Sequence, residues 1–314
     1  MKDHTQPASN NPSSAFKSEL ESEAVHLVQS GLSPYQAMDQ ARQNVATRHQ
    51  HKGENPALRN YSLLHKMLSS YDPCIVNRKL SPNDTMKGDN YFEVGTSAVE
   101  VIIAACLVSK LTEVTRVLDL PCGHGRVLRH LVALFPDAQI DACDLDKEGV
   151  EFCASTFPVR PIFSVDELTE VKFDTTYDLI WIGSLFTHID YVSTMRWLTF
   201  LSGILTPQGI IVSTFHGRWA TQLHRLVPYI DEKSWKSIMD GYASIGYGYH
   251  DYNVGKSHDF ISGSYGISVA KPHVIIDLVE QIPNIRIFMY QEKAWGNNHD
   301  VIVFGRPDWD EAWW

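Results

Sequence analysis

The chain has 314 residues, 44% hydrophobic and 20% charged, the balance of an ordinary globular protein with one large domain or one domain plus an appendage. Its formal net charge of −10 argues against a nucleic-acid backbone as the main partner. No apolar run reaches the ~18–20 residues that a membrane span needs. The opening M-K-D-H-T-Q-P-A-S-N lacks the apolar core of a signal peptide. Five cysteines (74, 106, 122, 143 and 153), without a C-x-x-C pair, read as reduced thiols of a cytoplasmic protein.

In chain order, residues 1–13 are polar and expected to form a disordered tail. Residues 14–90 read as a helical N-terminal extension. Ser14 to Gln29 is one helix with a stop at Gly31. Ser33-Pro34-Tyr35-Gln36 is a capping box with proline at the first helical position, opening a second helix to about His49. The pair resembles a DNA-reading helix-turn-helix in outline, but few basic residues precede Arg42, which favours a docking or lid element. Every cofactor signal described below comes later in the chain. Residues 57–69 form another amphipathic pattern, and 72–90 a loop rich in Pro, Asn, Asp and Gly. Between Ala41 and Asn90 stand eight Lys/Arg against four Asp/Glu. This is either a basic patch able to hold an anionic substrate group or a chance imbalance on a solvated surface. Tyr91 to Gly95 then leads into a long apolar helix, Ser97 to Lys110.

The next stretch, R-V-L-D-L-P-C-G-H-G-R-V-L-R-H-L from Arg116 to Leu131, organises the rest. Val117 to Leu120 suits a buried parallel strand. A tight turn with Gly123 and Gly125 follows. Val127, Leu128, Leu131, Val132 and Phe135 then share one helical face, with Arg126, Arg129 and His130 on the other. Strand, glycine turn and helix together bring backbone N–H groups toward a ligand at the helix N-terminus. Leu128 stands where a dinucleotide fingerprint needs its third glycine, and Arg126-Val127 replace the Lys-Ser/Thr of a phosphate loop. Gln139 to Asp144 is a second strand ending in an acid, with its helix from Lys147 to Phe157. Asp144 lies nineteen residues after Gly125, the offset at which a carboxylate can accept both ribose hydroxyls.

Asp119 followed by Gly123 and Gly125 resembles the first motif of the class I S-adenosylmethionine-dependent methyltransferases, with Pro121 in place of the first glycine. Proline removes one N–H donor, which leaves the turn to reach a cofactor with the other two. The plainer alternative is a strand-turn-helix whose glycines serve packing only. The resemblance extends to Y-D-L-I-W-x-x-S at Tyr177 and L-x-P-x-G at Leu205, and covers roughly residues 90 to 306. It implies S-adenosylmethionine as cofactor, contacted by Tyr91, Asp119, Pro121, Cys122, Gly123, Gly125, Asp144, Leu145, Gly183 and Ser184. Asp144 would hold the ribose and Tyr91 would close over the methionine end, although Tyr91 and Phe92 equally suit a hydrophobic staple.

The alternation continues with strands at Pro161–Val165, Tyr177–Ser184, Ile210–Phe215, Ile285–Gln291 and Val301–Gly305, and helices at Tyr191–Leu205 and Lys271–Ile282. The fold class is therefore α/β, a doubly wound seven-stranded mostly parallel sheet with one antiparallel strand, over residues 91–306. Ligands bind beyond the carboxyl ends of such strands. That edge gathers His188, His216 and His299, candidates for a general base, with a hydrogen-bonding structural role as the alternative for each. No short ligand pair joins them, so no metal is expected. Gly183-Ser184-Leu185-Phe186 stands where the resembled family's exocyclic-nitrogen branch carries N/D-P-P-Y/F, which disfavours amino groups of adenine or glutamine, and a histidine base suits an oxygen acceptor. The insertion 219–270, with G-Y-A-S-I-G-Y-G-Y-H-D-Y-N, reads either as an aromatic lid or as a glycine-rich surface loop. Residues 307–314 are a tail. A small-molecule or glycan-type acceptor is expected, the glycan from the blend of P-C-G-H-G-R, G-S-L-F-T-H and W-G-N-N-H-D. The competing function is a cofactor-binding sensor or scaffold without methyl transfer, suggested by Pro121 and the N-terminal helices.

Overall fold

The computed structural model describes residues 12–50, 65–67, 69, 71–252 and 265–306. Its contacts divide the chain into two units, Met1–Ser62 with Asp308–Trp314, and Leu63–Pro307. The expectations for residues 1–11, for most of the 57–69 helix and for the 307–314 tail lie outside the described residues.

In the first unit, α1 (Pro12–Gln29) and α2 (Pro34–Gln50) pack through Leu20, Ala24, Ala41 and Val45. The capping box is reciprocal: Ser33 Oγ accepts the Gln36 N–H at 3.4 Å, and Gln36 Oε1 accepts the Ser33 N–H at 3.3 Å. Gly31, at φ 105°, ends α1 in a backbone conformation that few residues other than glycine adopt.

In the second unit, helical residues at 65–67 and 69 are followed by a loop over 71–90 that leads into α3 (Tyr91–Ser109), which starts six residues before the expected Ser97. Among the described residues α3 alone is long and apolar enough to cross a membrane by composition, at mean hydropathy 1.7. Its buried residues, among them Ala98, Ile102 and Cys106, instead belong to the core against one sheet face. The chain then alternates through β1 (Arg116–Asp119), α4 (Leu128–Leu134), β2 (Gln139–Asp144), α5 (Lys147–Thr156), β3 (Arg160–Phe163), β4 (Tyr177–Ile182), α6 (Tyr191–Gly203) and β5 (Leu205–Phe215). The insertion holds α7 (Arg218–Leu223), α8 (Glu232–Ile245) and the strands β6 (Tyr247–Asp251) and β7 (Gly266–Ala270). The chain closes on α9 (Pro272–Glu280), β8 (Arg286–Trp295) and β9 (His299–Gly305).

Seven strands form one sheet in the order β3-β2-β1-β4-β5-β9-β8. Pairs from β3 to β5 are parallel, and β9 runs antiparallel to both of its neighbours. Successive residues alternate between two cores, Val117 and Leu179 on one face, Leu118 and Ile180 on the other. That alternation is what a sheet covered by helices on both faces requires. The order reverses between β1 and β4, so the carboxyl ends of β1, β2 and β4 open a crevice there.

Two expectations are corrected. Arg129 and His130 do not sit on a solvated helix face but are 1% and 2% exposed. The segment 71–91 covers them: Tyr71 Oη lies 2.7 Å from His130 Nδ1, and Arg129 Nη1 donates to the carbonyls of Asn77 and Lys79 at 2.8 and 2.9 Å. The described part of the insertion is not an irregular loop. It is a helix packed on a hairpin, with Ile238, Ile267 and Val269 in a small core of their own.

Candidate active site

At the tip of β1, Gly123 and Gly125 take positive φ values of 49° and 81°, which tightens the turn after the cis Leu120–Pro121 bond. A Cβ on Gly125 would stand 2.7 Å from Phe157, so that glycine serves close packing. A Cβ on Gly123 would meet nothing within 4 Å, so this side of the turn faces open space. The turn's N–H groups differ from expectation. The Gly123 N–H donates to Asp144 Oδ2 at 2.7 Å, and the Gly125 N–H to the Cys122 carbonyl at 2.9 Å. The first bond forms because the turn packs against the tip of β2 and the second closes the turn on itself, so neither amide is left to point at a ligand.

Asp144 is nearly buried and accepts a second bond, from the Asp146 N–H at 2.8 Å. A carboxylate has about four lone-pair sites, so roughly two remain for outside donors. Burial raises its pKa to about 6 against the opposing pull of the Asp146 and Gly123 N–H groups. Leu145 follows it, partly exposed, at the strand tip. Asp119 is 1% exposed, and its Oδ2 finds no hydrogen-bond partner among the described residues. Burial, then the Asp144 charge, holds its carboxyl well above the usual range. An orphaned buried oxygen, an open face at Gly123 and spare acceptor sites on Asp144 together fit a ligand rich in hydroxyl and amino donors.

Tyr91 is placed differently from the methionine-end cap expected of it. It is 2% exposed, donates its hydroxyl to Asp84 Oδ2 at 2.7 Å and accepts from Arg129 Nη2 at 3.3 Å. Arg129 also donates to the Gly125 and His124 carbonyls, at 2.7 and 3.3 Å. The buried guanidinium thus ties the 77–91 segment to the glycine turn, a role that its helical spacing did not reveal. Arg129→Ala would strand several buried carbonyls at ~1–3 kcal/mol each. We expect a loss of about 3 kcal/mol or more in urea unfolding, unrescued by Arg129→Lys, since one ammonium lacks the planar fork. A variant as stable as the wild type would mean that water replaces the guanidinium.

After β4, the space where a Gly183 Cβ would sit is taken by the Trp181 indole, whose Nε1 would lie 2.6 Å away. Ser184 adopts φ 64°, a left-handed conformation costing ~1–3 kcal/mol, of the kind that gathers at functional sites. Its N–H donates to Thr214 Oγ1 at 2.8 Å, joining the loop after β4 to the end of β5.

The three histidines converge. The rings of His188 and His216 are 6.3 Å apart, and those of His216 and His299 5.0 Å. Strand β7 positions the first two by its backbone. Its Gly266, Ser268 and Ala270 N–H groups donate to the carbonyls of His188, Thr187 and His216 at 2.9–3.0 Å. In return, His188 Nδ1 lies 2.7 Å from the Gly266 carbonyl and His216 Nδ1 3.1 Å from that of Ser268. A carbonyl only accepts, so each Nδ1 carries the proton and each Nε2 is left as the acceptor nitrogen. Tyr265 stacks on His188 at 4.7 Å, and Tyr229 packs against His216 at 4.8 Å. Burial, with His299 and His188 nearby, drives the His216 pKa well below 6.5. Burial, His188 and Arg126 lower His299 to about 3. Both stay neutral at physiological pH. The hairpin's hold on these rings was not legible because backbone carbonyls carry no sequence signal. Its only trace is the tyrosine-rich alternation of Y-G-Y-H-D at 247–251.

A doubly wound sheet with an acid-tipped β2 and a glycine turn after β1 is the architecture expected of a class I S-adenosylmethionine-dependent methyltransferase domain. Comparison with known proteins agrees: residues 118–211 match the family described as a methyltransferase domain. The malonyl-[acyl-carrier protein] O-methyltransferase of Bacillus cytotoxicus is 32% identical over 114 residues, covering 35% of this chain and 39% of that protein. The enzyme of the same name from Halalkalibacterium halodurans is 26% identical over 178 residues, 47% of this chain and 65% of that one. The match thus spans less than two thirds of either relative. Among solved structures, an S-adenosylmethionine-dependent methyltransferase from Clostridium acetobutylicum superposes with TM-score 0.46 at 14% identity, covering 68% of this chain and 92% of that one. The cofactor of this domain class is S-adenosylmethionine.

Proposed function

We propose that this protein is an S-adenosylmethionine-dependent O-methyltransferase acting on a small-molecule acceptor. The observation that carries the reading is the juxtaposition of two sets of groups on one sheet edge. One set, Asp144, Asp119 and the open side of Gly123, suits the cofactor. The other, His188 and His216, presents acceptor nitrogens held in one tautomer by β7.

The cofactor supplies a methyl group from its sulfonium and leaves as a neutral thioether. In this reading Asp144 accepts the ribose hydroxyls and Asp119 an amino or water donor, while the Gly123 face allows close backbone approach. His188 and His216 accept hydrogen bonds from the acceptor and take its proton where the oxygen is a hydroxyl. The remaining catalytic contribution is positioning. The relatives' names point to a malonyl group on acyl-carrier protein rather than to the glycan that the motif blend suggested. The five free cysteines are in keeping with the expected cytoplasmic location.

The test is incubation with methyl-labelled S-adenosylmethionine and a panel of malonyl thioesters and hydroxyl compounds. Label in a base-labile ester or a stable ether is the expected result. Tight cofactor binding with no label transferred to any of them would instead favour the sensor or scaffold reading.

A further inference from the structure

One partly buried cation at this edge makes no ion pair among the described residues. Arg126 follows Gly125 directly and is partly buried. Its guanidinium stands 5.7 Å over the Trp295 ring, and among the described residues it has neither a hydrogen bond nor an ion pair. The nearby Asp84 is already engaged, with one oxygen on the Tyr91 hydroxyl and the other on the Met86 N–H. Other basic residues that the 41–90 count singled out are accounted for: Arg78 lies over Phe92, Lys79 over Phe152, and Lys87 donates to the Pro82 carbonyl. Arg126 differs from them in burial: Arg78, Lys79 and Lys87 are exposed to water, whereas Arg126 is partly buried. Burying a guanidinium is costly unless something pairs with it.

Its neighbours say where such a partner would lie. Trp295 packs against His299 at 5.0 Å, His299 against His216 at 5.0 Å, and His216 against His188 at 6.3 Å. Arg126 therefore begins a row of rings that ends at the candidate base. The row contains one fixed positive charge and no carboxylate, in a chain whose net charge is −10. A planar fork over an aromatic ring suits bidentate pairing with a carboxylate.

We infer that Arg126 is the specificity-determining residue for an acceptor that carries a carboxylate, pairing with that group while the rings from Trp295 to His188 bind the rest. The inference rests on the methyltransferase reading and narrows its acceptor to carboxylic acids. The cofactor's own amino-acid carboxylate is the other possible source of the same chemistry, and the experiment separates the two.

The probes are malonyl-N-acetylcysteamine and its methyl ester, with S-adenosylhomocysteine and 5′-methylthioadenosine for the cofactor side, all measured by calorimetry. The wild type should bind the free acid at least tenfold more tightly than the ester. Arg126→Gln should abolish that preference and Arg126→Lys should retain part of it. Both variants should hold S-adenosylhomocysteine within about threefold of wild type, which also shows that they are folded. If Arg126→Gln instead weakens S-adenosylhomocysteine but not 5′-methylthioadenosine, the carboxylate belongs to the cofactor and the inference is overturned. A wild type that does not distinguish acid from ester, including by binding neither, overturns it as well. An acid preference without label transfer would leave Arg126 standing and remove the methyltransferase reading alone.

Discussion

Replacing Asp144 by alanine should weaken S-adenosylmethionine binding by about 1.5–3 kcal/mol, the range for hydrogen bonds to a charged group. The carboxylate already serves the Gly123 and Asp146 N–H groups. Alanine therefore also loosens the glycine turn, and thermal unfolding must show that the variant remains folded before its affinity is read. The pH dependence supplies an independent signature. Burial lifts the Asp144 pKa to about 6, above its ordinary 3.8. The native state then holds this proton more tightly than the unfolded chain, so without cofactor the contribution to stability falls as pH rises from about 4 to about 6. Cofactor binding works in the opposite sense, because ribose hydroxyls need the ionised acceptor. With a pKa near 6, affinity should be about tenfold weaker at pH 5 than at pH 7, and Asp144→Asn should flatten the profile. Calorimetry at both pH values tests this. Equal affinities at pH 5 and pH 7, together with an unaffected Asp144→Ala, would place the ribose elsewhere.

The second large effect is on turnover. His188→Ala and His216→Ala should each bind S-adenosylmethionine as the wild type does, while one of them loses ~10²–10⁴-fold in rate, the usual value of a general base. His188 is the better placed of the two, since it is partly exposed and stacks on Tyr265, whereas His216 is 4% exposed with its pKa driven well down. A buried imidazole so reluctant to charge is better suited to accepting a hydrogen bond than to keeping a proton. Single-turnover rates with saturating acceptor separate the two. Near-wild-type rates in both variants would dismiss the base assignment. The acceptor oxygen would then arrive already deprotonated, as a carboxylate does, with positioning alone carrying the transfer.

What the sequence determined by itself is the frame of the domain and its cofactor edge. Apolar runs of strand length, helical spacing and punctuation by Gly and Pro depend on neighbours a few residues away, so β2 was legible residue for residue and β1 to within one. The acid at Asp144 and the turn at Gly123 and Gly125 lie within thirty residues of each other, and local pattern carries their geometry. The start of α3 was misplaced because Tyr91 and Phe92 are held by Arg129 and Arg78, partners that no local pattern reveals.

Tertiary structure alone decided the rest. Arg129 sits at a polar position of an amphipathic helix and is buried only because the 71–91 segment crosses over it. Pro121 was expected to leave two turn amides for the cofactor, yet Gly125 bonds to Cys122 within the turn itself, and Gly123 is engaged by Asp144 because folding brings the turn against β2. The tautomers of His188 and His216 are set by carbonyls 78 and 52 residues further along the chain. Main-chain groups are the same in every residue, so nothing in the letters Gly266 or Ser268 announces which side chain they will orient. The lack of an ion pair at Arg126 likewise becomes visible only once Asp84 has found other partners in Tyr91 and Met86.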